Sequence, residues 1–168
     1  MLRACHSFKG GVEAARQDDA YEENVVCLVD DSHGVGAFGR TGRGTEEYTN
    51  CPPVDILVGT LGKAFGVNGG YVVGNEATIR FFRESSQMYI YSNPITVGEA
   101  AAALAALRVI DSPEGEGLLH NLRALTKRFE DGLGRIGIET IPGEHPVVPL
   151  MIRDTAKTHD LVQHLYDN

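Results

Sequence analysis

The chain has 168 residues, 42% hydrophobic and 23% charged, which is enough to build one ordinary core and is not a composition of disorder. Its formal charge of −8 and its 15 scattered lysines and arginines offer no basic stripe, which argues against nucleic acid as a partner. No apolar run approaches the ~20 residues of a membrane span, and MLRACHSFKGG lacks the apolar h-region of a secretory signal. Cys5, Cys27 and Cys51 are odd in number and without C-x-x-C spacing, so they read as reduced thiols in a cytoplasmic compartment. The six histidines include no H-x-x-x-H pair, and no metal site is expected.

In chain order, residues 25–30 (VVCLVD) form a continuous β-branched run, the pattern of a parallel strand buried on both faces. The next stretch, GVGAFGRTGRGTEEYTNCPP, is too rich in Gly and Pro for a long helix and reads as an extended loop. Residues 55–59 (DILVG) and 70–73 (GYVV) repeat the strand pattern, giving three core strands. Helices are predicted from Glu76 to about Tyr89, from Glu99 to Ile110, and from about Glu116 to Leu133, where Gly134 ends the periodicity. Beyond Arg135 the pattern changes to two short alternating strands, IGIETI and VVPLMI, joined by a Pro142-Gly143 turn, and then a helix from about Thr155. The expected organisation is an atypical N-terminal segment (1–22), a large α/β portion (23–134) and the start of a small α+β unit (135–168).

Gly34, Gly36 and Gly39 spell G-x-G-x-x-G after the first strand, with Asp55 about 20 residues on, as in a dinucleotide fingerprint. That fingerprint needs its glycines to open a helix. Gly42, Gly44 and Pro52-Pro53 are hostile to one, and Asp55 begins the next strand where ribose recognition wants an acid at its end.

Asp30 and His33 stand at the carboxyl end of the first strand, the edge at which open α/β sheets bind ligands. Lys63 follows the second strand and emerges at the same edge, in the glycine-rich TLGKAFGVNGG. Separately, Asp30 and His33 also read as a turn carboxylate with its hydrogen-bonded imidazole, and Lys63 as a surface loop lysine. Jointly they suit pyridoxal phosphate, which needs a lysine for its aldehyde, a carboxylate beside its ring nitrogen and a group near its ring oxygen. A desolvated lysine has a lowered pKa and becomes nucleophilic, the glycines admit a flat ring, and Thr60 offers a hydroxyl to the phosphate.

The segments VDDSHGVGAFGRTGRG, VDILVGTLGKAFGVNGGYVVG and YIYSNPITVGEAAAALAAL together resemble the α-oxoamine synthase group of fold-type I pyridoxal-phosphate enzymes. Within that group the chain looks most similar to 2-amino-3-ketobutyrate CoA ligase (glycine C-acetyltransferase), from about Glu23 to Asn168. The resemblance implies the mostly parallel large domain of that fold plus the start of its small domain. It places Asp30 on the pyridine nitrogen, His33 on the ring hydroxyl, Lys63 as the Schiff-base lysine and Thr60 on the phosphate. It also assigns Ser92 and Asn93 to the phosphate of the neighbouring subunit in a homodimer. The implied reaction joins glycine, or a related amino acid, to an acyl-CoA, or runs in reverse. Family chains are longer, and residues 1 to about 17 do not resemble the family, which implies a fragment. The alternatives are a sister activity such as 8-amino-7-oxononanoate synthase, an aminotransferase, or a non-catalytic remnant that binds a longer homologue through Tyr89 to Pro94.

Overall fold

The computed structural model describes residues 26–168; the atypical segment expected over 1–22, and Val25 of the first predicted strand, lie outside the described residues. The chain folds as two compact units, one reaching His120 and the other Asn121–Asn168.

In the first unit, strand β1 (Leu28–Asp30) pairs in parallel with β2 (Ile56–Thr60), and β2 pairs antiparallel with β3 (Gly70–Gly74), in the order β1-β2-β3. The Cys27 N–H donates to Asp55 Oδ2 (2.8 Å) and the Asp31 N–H to the Val58 carbonyl (2.8 Å), so the β1–β2 pairing is tied at both ends. Asp55 thus anchors a strand, and its place in the apparent dinucleotide spacing has a structural explanation. The sheet is mixed. Only residues 61–69 separate β2 from β3, too few for the crossover of a dozen or more residues that a parallel pair needs. At Gly59, directly opposite Tyr71 in the ladder, the aromatic ring fills the space a Cβ would take.

Burial differs from the expectation of a strand covered on both faces. Leu28 is 57% exposed, and Val72 and Val73 are exposed as well. Of the buried apolar side chains of this unit, Ile56 is in β2, Leu61 follows it, Val35 and Phe38 lie in the loop after β1, and Leu119 lies in the helix that starts at Pro113. The Phe38 ring stacks on Tyr48 with centroids 4.2 Å apart.

Short helix α1 (Thr45–Thr49) interrupts the loop between β1 and β2 and ends on Asn50 in the left-handed conformation (φ 50°). The single helix expected over 76–89 is two, α2 (Glu76–Ser85) and α3 (Gln87–Tyr91). Ser86 breaks it: its backbone is extended, and its Oγ accepts the Tyr89 N–H (3.4 Å) as the N-cap of α3. Helix α4 (Val97–Ile110) opens on a capping box, in which Thr96 Oγ1 accepts the Glu99 N–H (3.2 Å) and Glu99 Oε2 accepts the Thr96 N–H (2.6 Å).

Helix α5 (Pro113–Arg135) starts with proline at its first position, where no N–H is needed. It ends at Gly137 (φ 79°), with the Ile138 N–H returned to the Leu133 carbonyl (3.0 Å). In the second unit the two expected strands reduce to one antiparallel bridge, Thr140 to Leu150, beside a bidentate ion pair of Arg153 with Glu139. Pro142, Pro146 and Pro149 remove the N–H donors a longer ladder would need. Helix α6 (Thr155–Asp167) is capped by Asp154, whose carboxylate accepts the Lys157 N–H (3.0 Å).

Candidate active site

Because β1 and β2 run in parallel, their carboxyl ends lie at one edge of the sheet: Asp30 ends β1, Thr60 ends β2, and Lys63 follows three residues later. The loop after Asp30 packs against the lysine loop. Gly36, with φ 80°, approaches so closely that a Cβ there would stand 2.6 Å from the Ala64 methyl. Asp30, His33 and Lys63 are all exposed at this edge.

Asp30 Oδ1 accepts the Ser32 N–H at 3.0 Å. Its carboxyl is held below the ordinary carboxylate value, first by the Ser32 hydroxyl, then by the Ser32 N–H; burial opposes them weakly, and the positive fields of Lys63 and His33 add to the depression. Lys63 and His33 therefore both act on Asp30, and the three residues singled out in the sequence form one electrostatic cluster around an ionised carboxylate. The expectation of a desolvated lysine differs from the structure, in which Lys63 is open to solvent.

The lysine loop is closed by its own backbone: the Leu61 N–H donates to the Gly69 carbonyl (2.9 Å), Val67 N–H to Leu61 (2.8 Å) and Gly66 N–H to Lys63 (3.0 Å). Gly66 and Gly69 take φ of 63° and 104°, and the space beside Gly66 is open. Thr60 Oγ1 donates to the Gly69 carbonyl (3.2 Å) and accepts the Gly62 N–H (3.1 Å). Its one hydroxyl proton is engaged within the loop, so a phosphate would have to compete with Gly69 for it.

Ser92 and Asn93 occupy a different place. Ser92 ends α3, with its N–H on the Met88 carbonyl (2.9 Å), and both residues are exposed in the chain leading to α4. This segment meets the lysine loop through Ile95, which packs on Gly69, and the Asn68 amide donates to Glu99 Oε1 (3.2 Å) at the start of α4.

The neighbour of Asp30 is a residue that the motifs do not single out. Asp31 is buried, and its carboxylate accepts both the N–H (2.8 Å) and the hydroxyl (2.5 Å) of Thr45. A Cβ on Gly34 or Gly44 would overlap that carboxylate. Gly39 is likewise packed on Glu47, which accepts the Thr41 N–H (2.9 Å) and hydroxyl (2.8 Å) and the Arg43 N–H (3.2 Å). Burial raises the Glu47 carboxyl, but these hydrogen bonds outweigh it and hold the group below its ordinary value. Of the G-x-G-x-x-G glycines, Gly34 and Gly39 thus pack on the two carboxylates and Gly36 on Ala64, and no helix starts among them; α1 begins only at Thr45. The doublet Asp30-Asp31 in the sequence was the available signal, because alternate residues of a strand face opposite sides.

Donor chemistry at this edge fits pyridoxal phosphate: an ionised carboxylate, an imidazole and an amine within its field, and a glycine-lined loop with open space. An α/β chain so arranged has the class of a fold-type I pyridoxal-phosphate-dependent transferase. The chain belongs to the aminotransferase class I and II family, whose model matches residues 18–168.

Comparison with individual proteins narrows the group. The chain is 39% identical over 142 residues to the 8-amino-7-oxononanoate synthase of Thioalkalivibrio sulfidiphilus, a match covering 83% of this chain and 36% of that protein. It is similar in structure to the serine palmitoyltransferase of Sphingomonas wittichii, with a TM-score of 0.70 and 26% identity over 81% of this chain and 34% of the other. A structure described as SPT with PLP internal aldimine matches with a TM-score of 0.65 and 29% identity over 82% of this chain and 35% of its own. These relatives are consistent with the α-oxoamine synthase group, and they carry the sister name 8-amino-7-oxononanoate synthase where the sequence reading preferred glycine C-acetyltransferase. The chain spans 36%, 39% and 41% of the length of three such curated relatives. Among the described residues no helix is long and apolar enough to cross a membrane.

Proposed function

We propose that this chain carries the cofactor-lysine portion of a pyridoxal-phosphate-dependent α-oxoamine synthase of the 8-amino-7-oxononanoate synthase kind, which condenses an amino acid with an acyl-CoA. The observation that carries the reading is the convergence of Asp30, His33 and Lys63 at the shared carboxyl edge of β1 and β2. The relatives support this substrate class over the glycine and acetyl-CoA pair.

When bound, pyridoxal phosphate supplies an electron sink for negative charge at the α-carbon of an amino acid. Lys63 would hold the cofactor through its aldehyde, and its Nζ would accept or return the substrate α-proton. Asp30, already ionised, keeps a proton on the pyridine nitrogen. His33 would serve the ring hydroxyl and its proton balance. Thr60 would hold the phosphate by giving up its hydroxyl proton's bond to Gly69, and Ser92 and Asn93 would hold the phosphate of a partner copy in a homodimer. The exposed apolar run Met88 to Tyr91 beside Ser92 is consistent with such an association.

The test is an absorbance spectrum of the purified chain with pyridoxal phosphate before and after borohydride, followed by peptide mass mapping. A reduced pyridoxyl adduct on Lys63 supports the reading, and amino acid plus acyl-CoA assays across chain lengths then rank the substrates. Wild-type protein that folds and yields no adduct on Lys63 sinks it for this chain.

A further inference from the structure

We propose that Asp31 is a positioning residue whose buried carboxylate, latched to Thr45, holds the turn that carries Ser32 and His33 and so sets Asp30 and His33 against each other. The inference rests on the reading of Asp30 and His33 as cofactor-facing groups.

Asp31 is fixed at three points. Its N–H is bound to Val58 of β2 (2.8 Å), its carbonyl accepts the Gly34 (2.8 Å) and Val35 (3.0 Å) N–H groups, and its side chain accepts both Thr45 donors. The first contact fixes where β1 stops, the second closes the turn around Ser32 and His33, and the third ties that turn to the start of α1. Gly34 and Gly44 leave the carboxylate no slack, since a Cβ at either position would occupy its space. Ser32, in the middle of the turn, is the residue whose N–H meets Asp30. A buried carboxylate with four acceptor sites is suited to this latch; an amide of equal size offers one acceptor oxygen and turns an NH₂ toward a donor.

The experiment uses the cofactor-free chain as well as the loaded one. In Asp31→Asn, NMR titration of the Asp30 carboxyl is expected to move upward as Ser32, Lys63 and His33 lose their hold on it, and the His33 ring signals to shift with it. In the loaded protein, trapping of the Lys63 adduct should fall less than twofold, because Lys63 stands on a separately closed loop, whereas α-proton exchange of a bound amino acid should fall on the order of tenfold. Glu47→Gln loosens the far end of the same loop and is the control for stability alone. If Asp31→Asn fails to fold, Thr45→Val removes the hydroxyl donor and keeps the carboxylate, and the same shifts are expected at smaller size. An unshifted Asp30 titration in a folded, less stable Asp31→Asn or Thr45→Val chain overturns the proposal. So does an equal shift in Glu47→Gln. The cofactor-free titration does not depend on pyridoxal phosphate, so failure of the adduct test would strike the proposed function and leave this result separately readable.

Discussion

Residues 31–47 and residues 87–97 both join longer elements through turns and short helical pieces, yet they settle their polar and apolar groups in opposite ways. In the first, Asp31 and Glu47 draw five N–H and O–H donors inward, glycines clear the space, and Val35 and Phe38 are buried. In the second, Met88, Tyr89, Ile90, Tyr91 and Val97 are all more than half exposed, and the ordering comes from the caps at Ser86 and Thr96. A segment closed largely by its own hydrogen bonds, and tied to β2 through the Asp31 N–H, holds Asp30 and His33 in place. A segment ordered mainly by caps, with Ile95 as its contact to the lysine loop, presents most of its side chains outward, and Ser92 and Asn93 lie in that second kind.

The comparison can be broken most severely at the lysine. Lys63→Ala is expected to abolish the borohydride-stable pyridoxyl adduct altogether, read by mass mapping; an undiminished adduct elsewhere would remove this edge of the sheet from the chemistry. Asp30→Ala leaves the fold intact, since the carboxylate is exposed, and is expected to slow amino-acid α-proton exchange by on the order of 10²-fold or more, measured by loss of deuterium.

Next in size comes the closed loop itself. Gly44→Ala forces a methyl onto the Asp31 carboxylate at φ 86° and should lower stability by about 2 kcal/mol or more in urea unfolding, with α-proton exchange falling alongside. The capped segment should respond less. Thr96→Ala removes the N-cap of α4 and is expected to cost about 1 kcal/mol. Its partner Glu99 is held below its ordinary value of 4.5, chiefly by the Thr96 N–H, then by the Thr96 hydroxyl and the Asn68 amide. A depressed carboxyl stabilises the fold fully above 4.5 and loses that contribution as pH falls through the lowered value, so unfolding below pH 4.5 should be steeper in wild type than in Glu99→Gln.

Asp30, His33 and Lys63 were legible because a β-branched run fixes where a strand ends, and chemistry-bearing residues just past two such ends must share an edge if the strands are parallel. The direction of β3 was legible too, from the short connection of residues 61–69, but strand composition alone does not carry it. Asp31 was hidden because its neighbour carried the chemistry, and only the fold tells which of two adjacent carboxylates turns inward. The split at Ser86 was written in its capping position before Tyr89, masked by helical periodicity that runs across it. The strands expected after Arg135 failed on prolines at the positions where a ladder needs donors. Burial was misjudged for β1 because apolar content fixes what a strand can cover and says nothing of what covers it.

The contact between Gly59 and Tyr71 also has a bearing on the lysine. Strands have a two-residue period, so slipping β3 by one position against β2 would swing Tyr71 to the opposite face and leave Gly59 facing Val72 or Gly70. The ring and the missing side chain therefore act as a key and its slot, fitting at one alignment only. That alignment decides how many residues are left over between Thr60 and Gly70, and the leftover chain is the loop that bears Lys63. The length of chain that carries the amine is thus metered by the fit of a tyrosine against a glycine.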